Sequence, residues 1–360
     1  MTNKIRAIAF HLPQFHPIPE NDEWWGKGFT EWTNTAKAKP MFPGHYQPHV
    51  PADLGFYDLR LAESRAAQAE MAKQYGLEGF CYYHYWFGGK QLLEKPFAEI
   101  LSSGEPDFGF CLCWANQTWT GIWHGAPNRI LIEQTYPGDD DHRKHFDSLL
   151  PAFQDKRHIT VDGKPVFVIY RPTEIPDVKR VMQFWREMDA AAGLKGLHLV
   201  GVGRSDWVPQ ELGFDASINP QLHRRDEWIS WHTPIKRLLH DYRKGKGLPT
   251  IYSYEKILPD LFKKPELGIE NYPCVIPNWD NTPRSGSNGL VLHDSTPELF
   301  RKHFREALEL AQNLPDERQF VFIKSWNEWA EGNHLEPDLK YGHAYLEVVA
   351  EELNSAKQKN

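Results

Sequence analysis

Cysteine is scarce in this chain, and its placement excludes a fold held together by disulfides. The four cysteines among 360 residues are Cys81, Cys111, Cys113 and Cys274, and each lies inside an apolar, strand-like run. Cys111 and Cys113 share one strand face, but no Cys/His pair elsewhere has the spacing that would complete a zinc site. We therefore expect four buried free thiols, with no bound metal and no other cofactor.

A basic excess and a long apolar run are also absent. Lysine and arginine total 41 against 48 aspartates and glutamates, which gives a net charge of −7 at pH 7. This balance argues against nucleic acid as a main partner. No apolar run is long enough to span a membrane, and the first ten residues contain too short an apolar run for a secretion signal. We expect a cytoplasmic protein, and the sequence leaves its oligomeric state open.

A glycine-rich phosphate loop is missing as well. The first strand-like run, residues 4–10, leads into residues 11–16 (HLPQFH) instead of a G-x-G-x-x-G turn. This disfavours a doubly wound dinucleotide-binding sheet. Residues 139–141 are three aspartates, a feature that could hold the metal of a nucleotide-sugar transferase. Because a helical pattern follows them, we interpret them as the acidic start of a helix.

Apolar runs, in contrast, recur along the whole chain. Eight of them predict β-strands at residues 4–10, 78–85, 108–114, 165–170, 197–202, 214–218, 273–278 and 319–326. Helical patterns lie between them, most clearly at 58–75, 176–192, 233–244, 296–313 and 340–354. Strands that are apolar on both faces and alternate with helices are typical of a parallel sheet covered by helices. The sequence predicts one (β/α)8 barrel over residues 1–360, with a frayed tail from about 354, and a doubly wound sheet is the alternative.

Polar and aromatic residues follow the predicted strands, at the barrel face where active sites of this fold lie. The candidates for substrate contact are His11, Gln14, Trp32, Tyr83, His84, Tyr85, Trp86, Trp114, Asn116, Tyr170, Arg204, Asn278, Trp279, Asp280, Trp326 and Asn327. Taken alone, His84 or Tyr85 is better explained as a core residue of its strand, and Asn278 could be a turn residue. Metal binding through His11, His16 and Asp280 stays open, although no regular spacing supports it.

The segment 20–54 is long and rich in Trp, Gly and Pro. Loops of this length in a compact domain are usually functional. We expect it to fold over the barrel mouth, where Glu31 and Asn34 fit a sugar subsite. A packed plug that only shields the barrel is the alternative, especially for Trp24 and Trp25.

Residues 325–332 (SWNEWAEG) are the most informative part of the chain. Glu328 and Glu331 lie three residues apart among tryptophans, directly after the last predicted strand. Carboxylates are costly to bury beside aromatic rings unless they are paired or used, and paired carboxylates cleave glycosidic bonds. We predict that Glu328 and Glu331 are the catalytic residues of a carbohydrate-active enzyme, and a non-catalytic sugar-binding barrel is the alternative.

Five segments together resemble the WbsX family, which is commonly named a glycosyltransferase of surface-polysaccharide gene clusters. They are residues 11–16, 22–34, 45–48, 79–86 and 325–332, and the resemblance runs from about residue 4 to about 350. The family is similar to glycoside hydrolase family 99, the endo-α-mannosidases. The resemblance implies an oligosaccharide or polysaccharide substrate and leaves open hydrolysis, transglycosylation, or transfer in O-antigen or capsule biosynthesis.

The likeness to family 99 also implies a retaining mechanism. Glu328 would deprotonate the 2-hydroxyl of the sugar, which attacks the anomeric carbon and gives a 1,2-anhydro intermediate. Glu331 would protonate the leaving oxygen and then activate water. Outside residues 325–332 the substrate contacts of family 99 do not match one by one, so the sugar can be mannose or a deoxysugar.

Overall fold

The computed structural model describes residues 5–121, 126–203, 207–219, 245–262 and 270–358. All eight predicted runs form parallel strands. They are β1 (Arg6–His11), β2 (Gly79–Phe87), β3 (Gly109–Trp114), β4 (Lys164–Ile169), β5 (His198–Val202), β6 (Ala216–Ile218), β7 in two pieces (Asn271–Tyr272 and Cys274–Val275) and β8 (Phe320–Ile323).

The strands pair in sequence order around a closed path. β1 pairs with both β2 and β8, which joins the two ends of the series. β7 is interrupted at Pro273, which has no N–H to donate to a neighbouring strand. Its first piece pairs with β6 and its second with β8. The fold is therefore the predicted (β/α)8 barrel, nearly closed, and not a doubly wound sheet.

Ten helices accompany these strands in the described part of the chain. They are α1 (Pro19–Trp25), α2 (Glu31–Lys37), α3 (Ala62–Gln74), α4 (Lys95–Ser103), α5 (Asp139–Phe153), α6 (Val178–Ala191), α7 (Tyr254–Leu261), α8 (Thr282–Ser285), α9 (Pro297–Ala311) and α10 (Ala344–Gln358). None of the described helices is both long enough and apolar enough to cross a membrane.

Helix boundaries follow the local chemistry in several places. α9 begins after Thr296, whose hydroxyl accepts the amide hydrogen of Leu299, and Pro297 takes the first helical position. The three aspartates 139–141 form the first turn of α5, as expected for an acidic helix start. α10 continues to Gln358, so the tail is helical beyond residue 354, where fraying was predicted. The predicted helix 233–244 lies outside the described residues.

Short strand pairs lie beside the barrel. Lys90–Leu92 pairs with β2, Trp119–Gly121 with Ala126–Ile132, Thr160–Val161 with β4, Thr250–Ser253 with Leu290–His293, and Asn327–Glu328 with Asn333–His334. The last pair is important for the site because it forms a hairpin directly after β8.

Two apolar layers hold the barrel together, and all four cysteines are free and buried within it. Alternate residues of each strand point inward, as Tyr83 and Tyr85 do on β2, and pack with the inner residues of the other strands. The residues between them, such as Tyr82 and Trp86, pack outward against the helices. Because both faces are buried, most residues of each strand are apolar or aromatic on both faces.

Candidate active site

The hairpin after β8 orients Glu328 and Glu331. The Ser325 hydroxyl oxygen accepts the backbone N–H groups of Asn327 (3.0 Å) and Glu328 (2.8 Å), which closes a tight turn. Gly332 then has a φ of +56°, and a Cβ at this position would lie 3.0 Å from the Asp280 Cβ. A glycine is required there by both conformation and space. The turn holds both carboxylates at the mouth of the barrel.

Arg284 lies between three carboxylates that come from two parts of the chain, the long loop after β1 and the hairpin after β8. Its Nη1 donates to Glu331 Oε1 and its Nη2 to Glu328 Oε2, both at 2.7 Å. Its Nε donates to Glu31 Oε2 at 3.0 Å. Glu31, Glu328 and Glu331 are all buried. Hydrogen bonds between two charged groups are the strongest that side chains make, so this arginine fixes the relative positions of the three carboxylates.

Local structure brings the remaining members of this cluster to the mouth. Asp280 Oδ1 accepts the amide and the hydroxyl hydrogen of Thr282, at 3.0 and 2.6 Å, and so begins α8, which carries Arg284. On α2, Glu31 and Asn34 lie three residues apart and therefore on one helix face. Both residues line the cavity described below. The long loop thus lies at the same end of the barrel as Glu328, as predicted.

A second cation, Lys324, extends the inward series of β8 past Phe320 and Phe322. Its Nζ donates to the Tyr83 hydroxyl at 3.2 Å and lies 5.7 Å from the centre of the Tyr170 ring. Two cations therefore face three carboxyl groups. Protonation of one carboxyl group leaves the set electrically neutral.

Burial raises the pKa of two of these carboxyl groups, Glu331 and Glu31. Burial, followed by the charge of Glu328, raises the pKa of Glu331 to about 7, while Arg284 acts in the opposite direction. Burial also raises the pKa of Glu31. A general acid works best when its pKa lies near the working pH, so Glu331 is suited to donate a proton.

The cluster forms the floor of a cavity of about 460 Å³, a size typical of small-ligand sites. Aromatic side chains form much of its wall, and amide and guanidinium groups lie between them. The wall includes Trp25, Phe29, Tyr85, Trp119, Tyr170 and Trp279, with Gln14, Asn34, Gln117 and Arg171. Flat apolar faces combined with directed polar groups fit a sugar ring, which has both apolar C–H faces and hydroxyl edges.

Besides Glu31 and Asn34 of the long loop, seven of the predicted catalytic residues and substrate contacts line this cavity. They are Glu328 and Glu331, with Gln14, Tyr83, Tyr85, Tyr170 and Trp279. Tyr83 and Tyr85 reach it because they are inward residues of β2, two positions apart.

Five other predicted contacts point away from the cavity, toward the helices. His84 Nε2 lies 2.8 Å from His145 Nε2 of α5, and the rings of Trp86 and Trp114 pack on the same histidine. His11 is hydrogen-bonded to Gln68 of α3, and Trp326 packs against Phe80. The structure does not bring these five side chains to the cavity. Four of them occupy outer positions of their strands, and Trp326 lies beyond the end of β8 and packs on the outer side.

A further five predicted contacts hold loops together instead of lining the cavity. Trp32 packs on Trp329, Asn116 bonds the backbone of Arg171, Asn278 accepts the Trp279 amide, and Asn327 bonds the backbone of Leu12. Asp280 accepts hydrogen bonds from His45 and Gln47 as well as from Thr282. Their hydrogen-bonding groups or ring faces contact other parts of the protein and do not face the cavity. Arg204 lies outside the described residues.

The structure does not assemble the metal site considered from His11, His16 and Asp280, because each of these described residues has a different partner. Conversely, sequence reasoning gave no role to Arg284 or Lys324. The inward alternation of Phe320, Phe322 and Lys324 was a signal that could have identified the lysine. No local pattern in residues 281–286 indicates the arginine.

Comparison with solved structures supports the assigned fold. The endo-alpha-mannosidase of glycoside hydrolase family 99 from Bacteroides thetaiotaomicron is 14% identical, with a TM-score of 0.55 and coverage of 98% of both chains. A glycoside hydrolase-like protein gives 15% identity and a TM-score of 0.55, over 98% of this chain and 94% of the other. At such identities the likeness shows the barrel fold.

Comparison of sequences shows the family. Residues 7–349 match the family model described as Glycosyltransferase WbsX, and the chain belongs to this family. It is a carbohydrate-active enzyme. Two uncharacterized WxcX proteins, from the B100 and ATCC 33913 strains of Xanthomonas campestris pv. campestris, are 37% and 38% identical over 355 residues. Those residues are 97% of this chain and 50% of each relative, so the chain spans about half the length of the curated relatives it matches.

Proposed function

We propose that this enzyme acts on a glycosidic bond of a bacterial surface-type polysaccharide, with retention of configuration, through Glu328 and Glu331. The observation that carries the proposal is their common contact with one guanidinium, at 2.7 Å each, on the floor of an aromatic-walled cavity. Two carboxylates held on adjacent nitrogens of one planar group lie on the same side of a bound sugar.

This arrangement differs from that of an ordinary retaining glycosidase. There, the nucleophile and the acid flank the anomeric carbon, roughly 5 Å apart. Carboxylates on one side of the ring instead suit two neighbouring oxygens, the 2-hydroxyl and the leaving oxygen. The substrate class that follows is a sugar with a free 2-hydroxyl positioned to displace that leaving oxygen, such as an α-mannoside or a related deoxysugar.

In the first step Glu328 takes the proton of the 2-hydroxyl, and O2 attacks the anomeric carbon. The bond to the leaving oxygen breaks, and that oxygen takes the proton of Glu331. In the second step Glu331 removes a proton from water, which opens the 1,2-anhydro ring at the anomeric carbon. O2 recovers its proton from Glu328, so both carboxyl groups return to their starting states.

Transfer to another sugar is the second candidate, and the description of the family favours it. A sugar hydroxyl would replace water in the second step, with the same two carboxyl groups. The aspartates 139–141 do not support a nucleotide-sugar donor, because they form the first turn of α5 and Asp139 pairs with Arg180.

The test begins with a mass-spectrometric screen against bacterial polysaccharides and aryl glycosides, followed by NMR of the first-formed product. We expect retention, no turnover of a 2-deoxy substrate, and loss of activity in Glu328→Gln. In Glu331→Gln an activated aryl leaving group, which needs little protonation, should restore the first step. Normal turnover of the 2-deoxy substrate with retention would contradict the proposal, since a direct nucleophile would then be required.

A further inference from the structure

A second cluster of functional groups lies outside the cavity, between the long loop after β1 and the segment after β8. It consists of His49, His334 and Asp338, which we call the loop-clamp site. His49 Nδ1 is 3.2 Å from His334 Nε2 and 3.4 Å from Asp338 Oδ2, and the latter two atoms are 3.9 Å apart. All three side chains are buried, and none lines the cavity.

These separations match those of ligands around one small ion. Zinc in a tetrahedral site lies roughly 2.0–2.1 Å from imidazole nitrogen and carboxylate oxygen, which places neighbouring ligand atoms about 3.3 Å apart. Two of the observed separations, 3.2 and 3.4 Å, lie close to this value, and the third is longer, at 3.9 Å. Two imidazoles with one carboxylate are a ligand set for zinc-like transition metals, whereas magnesium and calcium prefer oxygen ligands.

The surroundings of the loop-clamp site also orient its ligand atoms. His334 Nδ1 lies 2.9 Å from the Glu336 carbonyl oxygen, so it carries the proton and leaves the Nε2 lone pair facing His49 and Asp338. Asp338 Oδ1 accepts the amides of Lys340 and Tyr341, at 3.0 and 2.7 Å, and Oδ2 is left to face the histidines. Such outer hydrogen bonds fix metal ligands in place.

We propose that His49, His334 and Asp338 bind one divalent transition metal ion of the zinc type, and that the ion fastens the two segments together. Flanking hydrogen bonds already join them, from the Ala52 amide to the Pro337 carbonyl (2.9 Å) and from the Leu339 amide to the Val50 carbonyl (3.0 Å). The ion's role is structural, because the site lies outside the cavity. It holds the loop that carries Glu31 against the segment that carries Glu331.

The test uses the full chain, stripped with a chelator and then titrated with Zn²⁺. We expect one equivalent to bind by calorimetry and elemental analysis, a higher Tm with Zn²⁺, and no comparable effect of Mg²⁺. With one water as the fourth ligand, Co²⁺ should give visible absorption bands of a four-coordinate site, which Zn²⁺ abolishes. These measurements use the wild-type protein without substrate, so they are independent of the proposed glycosidic reaction.

Variants then assign the site. His49→Gln and Asp338→Asn should each weaken Zn²⁺ binding at least about 10-fold and remove the rise in Tm. His343→Gln is the matched control, since His343 is a partly exposed histidine of the same segment that pairs with Asp53. If wild-type protein binds no Zn²⁺, or if His343→Gln loses as much binding as His49→Gln, the three residues form only a hydrogen-bonded cluster and the proposal is wrong.

Discussion

Two buried carboxyl groups, Glu331 and Glu336, lie five residues apart on one segment and have similar pKa values. Burial raises the pKa of each to about 7. Glu331 faces the cavity and contacts Arg284, whereas Glu336 is enclosed by the protein. Glu336 accepts hydrogen bonds from Tyr57, Trp329 and Gln68, at 2.9, 2.5 and 2.6 Å.

The comparison shows that a raised pKa records burial and does not by itself identify a catalytic group. Access to the cavity and the identity of the partners separate the two roles. Glu331 has a charged partner and room for a substrate, so it is suited to proton transfer. Glu336 has three donors and no such room, so it joins the loop, through Tyr57, to α3 and to the hairpin.

The largest expected effect is on catalysis. Glu328→Gln and Glu331→Gln should each lower kcat/KM by roughly 10²–10⁴-fold, the usual range for loss of general acid or base assistance. Their Tm values should stay near that of the wild type, because the glutamine oxygen can still accept from Arg284, which also keeps its two other carboxyl partners. Kinetics on the substrate identified by the screen and thermal unfolding measure both effects. A fall in Tm with normal turnover of the folded fraction would show that these glutamates are structural.

A comparably large effect on stability is expected at Arg284. Arg284→Met leaves three buried carboxyl groups without their common cation, and breaking a buried ion pair on one side costs about 3–5 kcal/mol. The substitution should also raise the pKa of Glu331 further, because Arg284 lowers it, and should shift the high-pH decline of activity to higher pH. Urea unfolding and a pH–rate profile test this. Arg284→Lys, which keeps the charge, is the control and should lose less stability.

Glu336→Gln should show the opposite pattern to Glu331→Gln. Only the oxygen of the glutamine amide accepts hydrogen bonds, because its NH2 group is a donor. At least one hydrogen bond from a buried donor is therefore lost, at a cost of about 1–3 kcal/mol. Turnover per folded molecule should stay near normal. Chemical unfolding and active-site-normalised kinetics are the measurements. If Glu336→Gln lost as much turnover as Glu331→Gln at an equal folded fraction, the distinction between the two sites would fail.

The pH dependence of activity should follow Glu331. It must be protonated to act as the acid, so wild-type kcat/KM should fall as the pH rises above about 7. With an activated aryl substrate, Glu331→Gln should lack this decline in its first step. If Glu331→Gln showed the same decline at high pH as the wild type, a group other than Glu331 would be responsible for it.

The last effect is the contribution of Glu336 to the pH dependence of stability. Its pKa in the folded protein is raised above the unfolded value of about 4.3. The stabilising contribution is therefore complete below pH 4.3 and is lost as the pH rises through about 7. Glutamine has no such dependence, so the destabilisation caused by Glu336→Gln should be smaller at pH 8 than at pH 5. Urea unfolding at both values measures it, and an equal loss at both would contradict the raised pKa.

Much of this protein is readable from short stretches of sequence. The strands are apolar runs bounded by polar turns, and such a run predicts a buried strand wherever it occurs. Glu328 and Glu331 lie within one turn, so their proximity needs no long-range contact. The aspartates 139–141 were assigned to a helix start for the same reason, because the helical pattern follows them directly.

The choice of strand face could not be read in this way. A strand buried on both faces has apolar or aromatic residues on both, so the sequence of β2 contains no periodic signal for which residues point inward. Tyr83 and Tyr85 reach the cavity, whereas His84 and Trp86 lie against α5, although all four are polar or aromatic residues at the same strand end. Barrel closure sets this choice, because it decides which side of the sheet is the inside.

The contacts that join distant segments depend entirely on the folded chain. Arg284 reaches Glu31 across 253 positions, and His49 lies beside His334 across 285. Strand order and loop length bring these residues together. The local sequence around each residue contains no pattern that predicts the contact. Local sequence therefore determined the barrel and the closeness of Glu328 and Glu331, while the arginine that holds three carboxylates and the loop-clamp site came only from the tertiary arrangement.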